Sequence, residues 1–167
     1  AFRDCVSLRE IHIPDSVEEI EEEAFRDCKA LREVKFGKGL EEIGDEAFRG
    51  CVNLIAAEIP VSVEEIGAYA FMDCPRLESI TITQNLTHIG RSAFENCTGL
   101  QEIHFPEKTQ YSIGMDAYAF ANCSSLKSVE FPESVTGLNG AAFSNCDSLT
   151  RVVLPAHLKY TGDRCFA

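Results

Sequence analysis

The sequence predicts an α/β solenoid, a fold in which copies of one short unit stack along a common axis. The dipeptide Ala-Phe recurs every 23 residues, with one interval of 26, so units begin at residues 1, 24, 47, 70, 93, 119 and 142. In all seven copies cysteine stands at the fifth place and leucine at the eighth, counted from the alanine. Stacking such units aligns equivalent residues in columns, and these columns form the core.

Each unit contains signals for two extended segments and a turn. The first segment, for example 31–36, ends in alternating apolar residues, the pattern of a half-buried strand. A proline such as Pro14 ends it, and a second extended piece such as 16–20 follows. A glycine, such as Gly44 or Gly114, then permits a turn. The next segment, Ala-Phe-x-x-Cys, has room for a short helical turn with its phenylalanine pointing inward.

The unit A-F-x-x-C-x-x-L-x-x-I-x-I-P-x-S-V-x-x-I-G resembles the BspA-like leucine-rich repeat over essentially the whole chain. This resemblance implies a right-handed, strand-rich horseshoe with a parallel sheet on its concave face. It also implies a bacterial cell-surface or secreted protein that adheres to other proteins. Members of the family share no catalytic site that could be transferred to this chain.

We interpret residues 1–167 as one solenoid domain of seven units plus the start of an eighth at Cys165-Phe166. Neither end has the polar capping unit that solenoids need for solubility, so we expect a piece of a longer array or ends that are covered by another molecule. No apolar run approaches the roughly 20 residues that span a bilayer, and no signal peptide is recognisable in the chain. We therefore expect no membrane insertion.

Two units depart from the pattern. Ala57 replaces the larger residue of the Ile/Val column in the third unit. The fifth unit gains three residues across 106–118, which we place as one before Ile113-Gly114 and two after. Tyr111, Met115 and Tyr118 make this insertion less polar than usual. It is either a passive insertion or a contact loop on a binding face.

The regular cysteines predict a buried column of free thiols rather than disulfides or a metal site. Pairing neighbours would break the equivalence of the column, and small apolar cysteine suits an interior position. No C-x-x-C spacing that would indicate zinc is present. Cys5/His12 and Cys97/His104 share one spacing, but the histidine place faces outward while the cysteine faces inward. His88 is expected to be solvated.

The composition is acidic, with 27 acidic and 15 basic residues and a net charge of −12, which argues against nucleic-acid binding. Glu-Glu pairs recur at 18–19, 41–42 and 64–65. We interpret them as a solvated rim; calcium binding is the alternative, although it requires six to eight converging oxygens. No catalytic or phosphate-binding motif is present, so we predict a protein that is not an enzyme and has no cofactor or metal.

The outward places of the first strand, the tenth and twelfth of each unit, are free to vary for recognition. We predict a ligand-binding concave face, with Lys35, Glu58, His104, Glu130 and Arg151 as the strongest candidates. The full set of predicted site residues is Glu10, His12, Glu33, Lys35, Glu58, Thr81, Glu102, His104, Glu130 and Arg151.

A mixed, shallow surface of this kind favours a broad protein contact, in which a few anchors carry the affinity. The predicted function is a non-enzymatic protein-binding or adhesion module at the cell surface or secreted. The expected partner is a protein, for example of the host extracellular matrix or cell surface, or a glycan. The alternative is a structural spacer or stalk within a larger surface protein.

Overall fold

The computed structural model describes all 167 residues as a solenoid of parallel strands, two in each of seven coils. Coils 1 to 7 begin at the unit starts given above. The strands are β1 (Glu10–His12), β2 (Glu19–Ile20), β3 (Glu33–Lys35), β4 (Glu42–Ile43), β5 (Ala56–Ala57), β6 (Glu65–Ile66), β7 (Ser79–Thr81), β8 (His88–Ile89), β9 (Glu102–His104), β10 (Gly114–Met115), β11 (Ser128–Glu130), β12 (Gly137–Leu138), β13 (Arg151–Val153) and β14 (Tyr160–Thr161).

The odd-numbered strands form the first sheet and the even-numbered strands the second. The first sheet is interrupted between β5 and β7, beside Ala57, and the second between β10 and β12, after the insertion of coil 5. Pairing elsewhere is parallel and in register, with Ile11 opposite Val34 and Ile20 opposite Ile43. Because the two interruptions fall at different junctions, each is bridged by pairing in the other sheet.

The buried columns predicted from the repeat are confirmed. Six phenylalanines from Phe25 to Phe143 stack nearly parallel, with ring centroids 4.9–5.3 Å apart and interplanar angles of 3–11°. Leucine, isoleucine, valine, alanine and cysteine complete a single apolar cluster of 44 residues. Burial of this apolar surface is the main contribution to the stability of the fold, and no single coil could bury it alone.

The predicted helical turns are wrong: the chain contains no helix, and its class is an all-β solenoid. Residues with left-handed backbone flank each Ala-Phe segment, as at Glu23 (φ 56°) and Asp27 (φ 57°). Only three residues lie between them, too few for a helix of right-handed residues. The segment instead makes consecutive tight turns, with the Arg26 N–H donating to the Glu23 carbonyl at 3.1 Å.

These turns are also hydrogen-bonded from coil to coil. The N–H groups of Glu23, Phe25 and Asp27 each donate at 2.8 Å to a carbonyl of the next coil. Equivalent bonds recur at every junction, and the donor always belongs to the preceding coil. The turn segments thus contribute a third ladder beside the two sheets.

The insertion in coil 5 falls differently from the prediction. Gly114 pairs with His88, and Met115 pairs with Ile89 in the buried column. Asp116 therefore takes the place of the turn glycine, and its N–H donates to the Ile89 carbonyl at 3.0 Å. All three extra residues precede this strand, so the prediction that two of them follow Gly114 is wrong.

No part of the structure forms a helix long and apolar enough to cross a membrane.

Candidate functional site

The exposed face of the first sheet carries all ten residues predicted as site residues. In β1, Glu10 and His12 point to solvent on either side of the half-buried Ile11. The same alternation recurs in the other three-residue strands as far as β11, while Glu58 lies just after β5. All ten side chains are exposed, as the alternation of a half-buried strand requires.

Three basic side chains on this face contact carboxylates. Lys35 Nζ lies 3.4 Å from Glu33, and His104 Nε2 lies 3.2 Å from Glu102. Arg151 lies 3.4 Å from Glu130 on the neighbouring strand. The six side chains of these pairs are 54–68% exposed, so each pair contributes little to stability and is easily replaced by a contact with a partner.

Two groups of depressions lie on the first sheet. One, of about 320 Å³, is lined by Glu10, His12, Glu33 and Lys35, and a neighbour of about 350 Å³ extends it to Glu58. The other depression, of about 460 Å³, lies toward the opposite end of the sheet and is lined by residues of coils 5 and 6. Thr81 lies on the sheet between the two groups and lines none of these depressions.

The second sheet carries the predicted acidic rim as an in-register column. Glu42 lies opposite Glu19 on one side and Glu65 on the other. Partial burial, and then repulsion from Glu19, Glu65 and Asp45, raise the pKa of Glu42. No group of three or more His, Cys, Asp or Glu side chains is arranged to hold a metal ion.

His88 continues this column in the next coil. Its Nδ1 lies 3.2 Å from Glu65, and its Nε2 lies 3.3 Å from Asp116. The ring is thus held between two carboxylates and is 37% exposed, rather than freely solvated as the sequence suggested. The contact with Asp116 depends on the register of coil 5, in which Met115 pairs with Ile89 and Asp116 follows at the turn place.

The turn ladder carries alternating charges in its first coils. Arg26 contacts both Glu23 and Glu46, the latter at 2.6 Å, and Arg49 contacts Glu46 at 2.9 Å. Arg3 contacts Glu23 at the start of the series. Glu23 and Glu46 each lie between two guanidinium groups, so their negative charges are balanced within the fold.

The thiols of coils 2 to 6 and Cys146 form the buried column that the sequence predicted. Each of these six donates to a phenylalanine carbonyl of the preceding coil at 3.1–3.4 Å, as Cys51 does to Phe25. Burial raises the pKa of Cys51 and Cys97 to about 12 and that of Cys146 to about 11. These thiols stay protonated near neutral pH and have a structural role. Cys5, in coil 1, is exposed.

An asparagine ladder was missed from the sequence. The side-chain amide of Asn145 donates to Asn122 at 2.8 Å, Asn122 donates to Asn96 at 2.8 Å, and Asn96 donates to Asp73 at 2.7 Å. Asparagine at the fourth place of three consecutive units was the available signal.

Comparison with known proteins identifies the family. The BspA-type leucine-rich repeat region matches residues 1–118 and 110–167, with six copies. A leucine-rich repeat protein from Bacteroides ovatus is 32% identical over 98% of this chain, with a TM-score of 0.86. The T. pallidum leucine-rich repeat protein is 30% identical over 92%, with a TM-score of 0.82.

A leucine-rich cell surface protein from Faecalibacterium prausnitzii is 29% identical over 95% of this chain, with a TM-score of 0.66. The chain spans 42%, 72% and 49% of these three proteins, respectively. No curated protein matches the chain. The repeat, the parallel solenoid and these matches agree: the chain belongs to the BspA-type leucine-rich repeat family.

Proposed function

We propose that this chain is a non-enzymatic binding module whose first sheet takes a protein partner at the outside of a bacterial cell. The observation that carries this proposal is the contrast between the two sets of places in each unit. The inward places are occupied by repeating apolar residues, whereas the exposed tenth and twelfth places differ from coil to coil. A surface freed from packing constraints can vary for recognition.

The exposed charge pairs support the same function. Lys35, His104 and Arg151 each contact a carboxylate that remains open to solvent. A partner's acidic groups can replace these contacts at small cost, whereas the buried thiols, held protonated, offer no nucleophile. An extracellular location is supported by the F. prausnitzii relative, which is described as a cell surface protein.

The proposal places these coils as one continuous domain in a longer array. The chain spans only 42% of the B. ovatus protein and 49% of the F. prausnitzii protein, which supports further units or domains in the parent. The partner class is a protein of the host matrix or cell surface, with a glycan as the other candidate ligand of this face.

The test is capture from extracellular-matrix extract by the immobilised chain, followed by affinity measurements with the captured protein. We expect Lys35→Glu with Arg151→Glu to weaken binding at least about tenfold, because anchors dominate such contacts. Lys29→Glu with Lys159→Glu makes the same change in charge away from the first sheet and should leave affinity unchanged. Equal affinity for both double variants would exclude the first sheet and favour the spacer function.

A further inference from the structure

The side-chain pattern reverses locally on the second-sheet side of coils 5 and 6. The turn place is glycine in four coils, at 44, 67, 90 and 162, but it carries Asp116 and Asn139 in these two. The following place carries only Ala117 and Gly140. Coil 1 carries Glu21 and Glu22 at these two places. Coils 5 and 6 alone therefore combine a polar side chain at the turn place with a small residue at the following place.

The insertion makes room for this reversal. In the tightly stacked coil 4, a Cβ on Gly90 would lie 2.6 Å from the Ala68 nitrogen, so no side chain fits there. At coils 5 and 6 the hydrogen bonds of the turn ladder are longer. The bonds to the Ala117 and Gly140 carbonyls measure 3.1 Å, against 2.8 Å for the four equivalent bonds elsewhere. The second sheet is also interrupted here. The looser stacking admits the two polar side chains.

The result is a notch of about 370 Å³ lined by Arg91, Asp116, Ala117, Asn139 and Gly140. A cavity of this size suits a small ligand. It lies away from the first sheet, at the corner where the second sheet meets the turn ladder, so it is separate from the surface proposed above to bind protein.

The polar groups of the notch are held in place before any ligand arrives. One carboxylate oxygen of Asp116 lies 3.3 Å from His88 Nε2, and the other accepts from Asn139 Nδ2 at 3.3 Å. The Arg91 guanidinium lies 5.1 Å from the ring centroid of Tyr118, which is 39% exposed. Groups fixed in this way lose little freedom on binding, which favours affinity.

Two backbone donors at the notch are unused. In coil 3, the Ala68 N–H donates to Asp45 Oδ1 at 2.6 Å. The equivalent N–H groups of Ala117 and Gly140 have no acceptor in the chain. The residue at the same place of the preceding coil is Arg91 for the first and Ala117 for the second, and neither has a side-chain oxygen. The notch thus offers backbone and guanidinium donors together with carboxylate and amide acceptors.

We propose that this notch binds a neutral sugar residue. Asp116 would repel a simple anion, and Arg91 would repel a simple cation. Each sugar hydroxyl both donates and accepts hydrogen bonds, so it can use both kinds of group. The Tyr118 ring, which the Arg91 guanidinium covers, holds that guanidinium at the edge of the notch.

The test is an amide NMR titration of the 167-residue chain with methyl glucoside, methyl galactoside, methyl mannoside and N-acetylglucosamine. We expect saturable shifts of the Ala117 and Gly140 amides with at least one of them, at a dissociation constant of about 1–10 mM. Asp116→Gly and Asn139→Gly introduce the glycine of coils 2, 3, 4 and 7 and should weaken binding at least about tenfold. Lys35→Glu, on the first sheet, is the matched control and should bind unchanged.

Three results would overturn the proposal. They are the absence of saturable shifts with every sugar up to about 50 mM, unchanged binding by both glycine variants, and shifts produced by acetate but by no sugar. Should a glycine variant fail to fold, Arg91→Gln changes an exposed side chain of the same notch and carries the same expectation. Because Lys35→Glu tests the first sheet separately, failure of either proposal leaves the other intact.

Discussion

Two columns of identical polar side chains behave in opposite ways. In the asparagine ladder each side-chain amide donates to the preceding coil, and Asn96 and Asn122 also accept from the following coil, so that Asn122 is satisfied on both sides at 2.8 Å. In the glutamate column, Glu42 has Glu19 and Glu65 as neighbours, and carboxylates only accept. An in-register solenoid therefore requires each side chain to be compatible with a copy of itself one coil away.

The chain limits the cost of like charges in two ways. The glutamate column is exposed, so solvent and salt screen it, and it ends at His88, which contacts Glu65. In the turn ladder, Glu23 and Glu46 alternate with arginines. Apolar, amide and alternating-charge columns are thus favourable stacks, whereas the glutamate column is tolerated only because it lies at the surface.

The largest effect is expected from breaking the most favourable column. Phe71→Ala removes a fully buried ring between two stacked neighbours, and we expect a loss of about 3–5 kcal/mol in the free energy of unfolding. Urea denaturation would measure it. Phe2→Ala in the same column, where the ring is 43% exposed, should cost clearly less. Equal losses would show that burial does not set the strength of the stack.

A smaller loss is expected when a carboxylate enters the amide ladder. Asn122→Asp removes the donor to Asn96, and we expect a loss of about 1–2 kcal/mol at pH 7. Near pH 3 the new carboxyl group is mostly protonated and can donate again, so the loss should shrink. Thermal unfolding at both pH values would measure this. A loss independent of pH would contradict the requirement for a donor.

The opposite change should stabilise the glutamate column. Glu42→Gln removes the central charge, and we expect a gain of roughly 0.5 kcal/mol at pH 7. The raised pKa of Glu42 means that folding is penalised at pH values above that pKa and not below the ordinary value of 4.5. The gain should therefore fade as the pH falls through this range.

Urea titrations of Glu42→Gln across this pH range would measure the effect. Glu107→Gln, at an exposed site outside the column, serves as the control and should change stability little at any pH. A gain of equal size in both variants would mean that overall net charge, rather than the stack, is responsible.

The smallest effect is expected when the native protein is treated with a thiol reagent, because the thiols of the buried column should hardly react. With burial and raised pKa values protecting the inner thiols, iodoacetamide at pH 8 should modify Cys5 first and leave Cys51, Cys74 and Cys97 intact. Mass spectrometry would count the adducts, and denaturant should raise the count to eight per chain. Rapid modification of Cys74 in the native protein would contradict its burial.

The columns and both extended segments could be predicted from the sequence because the same residues recur at fixed spacing. The helical turn was predicted wrongly, because the left-handed residue before the alanine is glutamate, tyrosine, serine or alanine in different coils, and none of these types signals a positive φ. The fourth place did carry a signal, since aspartate, asparagine and glycine tolerate that conformation well.

The notch could not be predicted because it depends on register. Ile113-Gly114 has the same sequence as the Ile-Gly pair of other units. In the structure, however, Gly114 pairs with His88 and Met115 pairs with Ile89, so Met115 lies in the buried column. Only then does Asp116 occupy a glycine place. A shift of one or two residues in an insertion is invisible in the sequence when apolar residues stand at both alternatives.

The one-way hydrogen bonds of the turn ladder give the solenoid an electrical polarity. In each of these peptides the N–H points toward the C-terminal neighbour and the C=O toward the N-terminal neighbour, so their dipoles of about 3.5 D add along the axis. The N-terminal face of the stack is therefore its negative pole, the reverse of an α-helix. Every further coil of this kind lengthens the aligned series, and the two faces of a coil are never electrostatically equivalent.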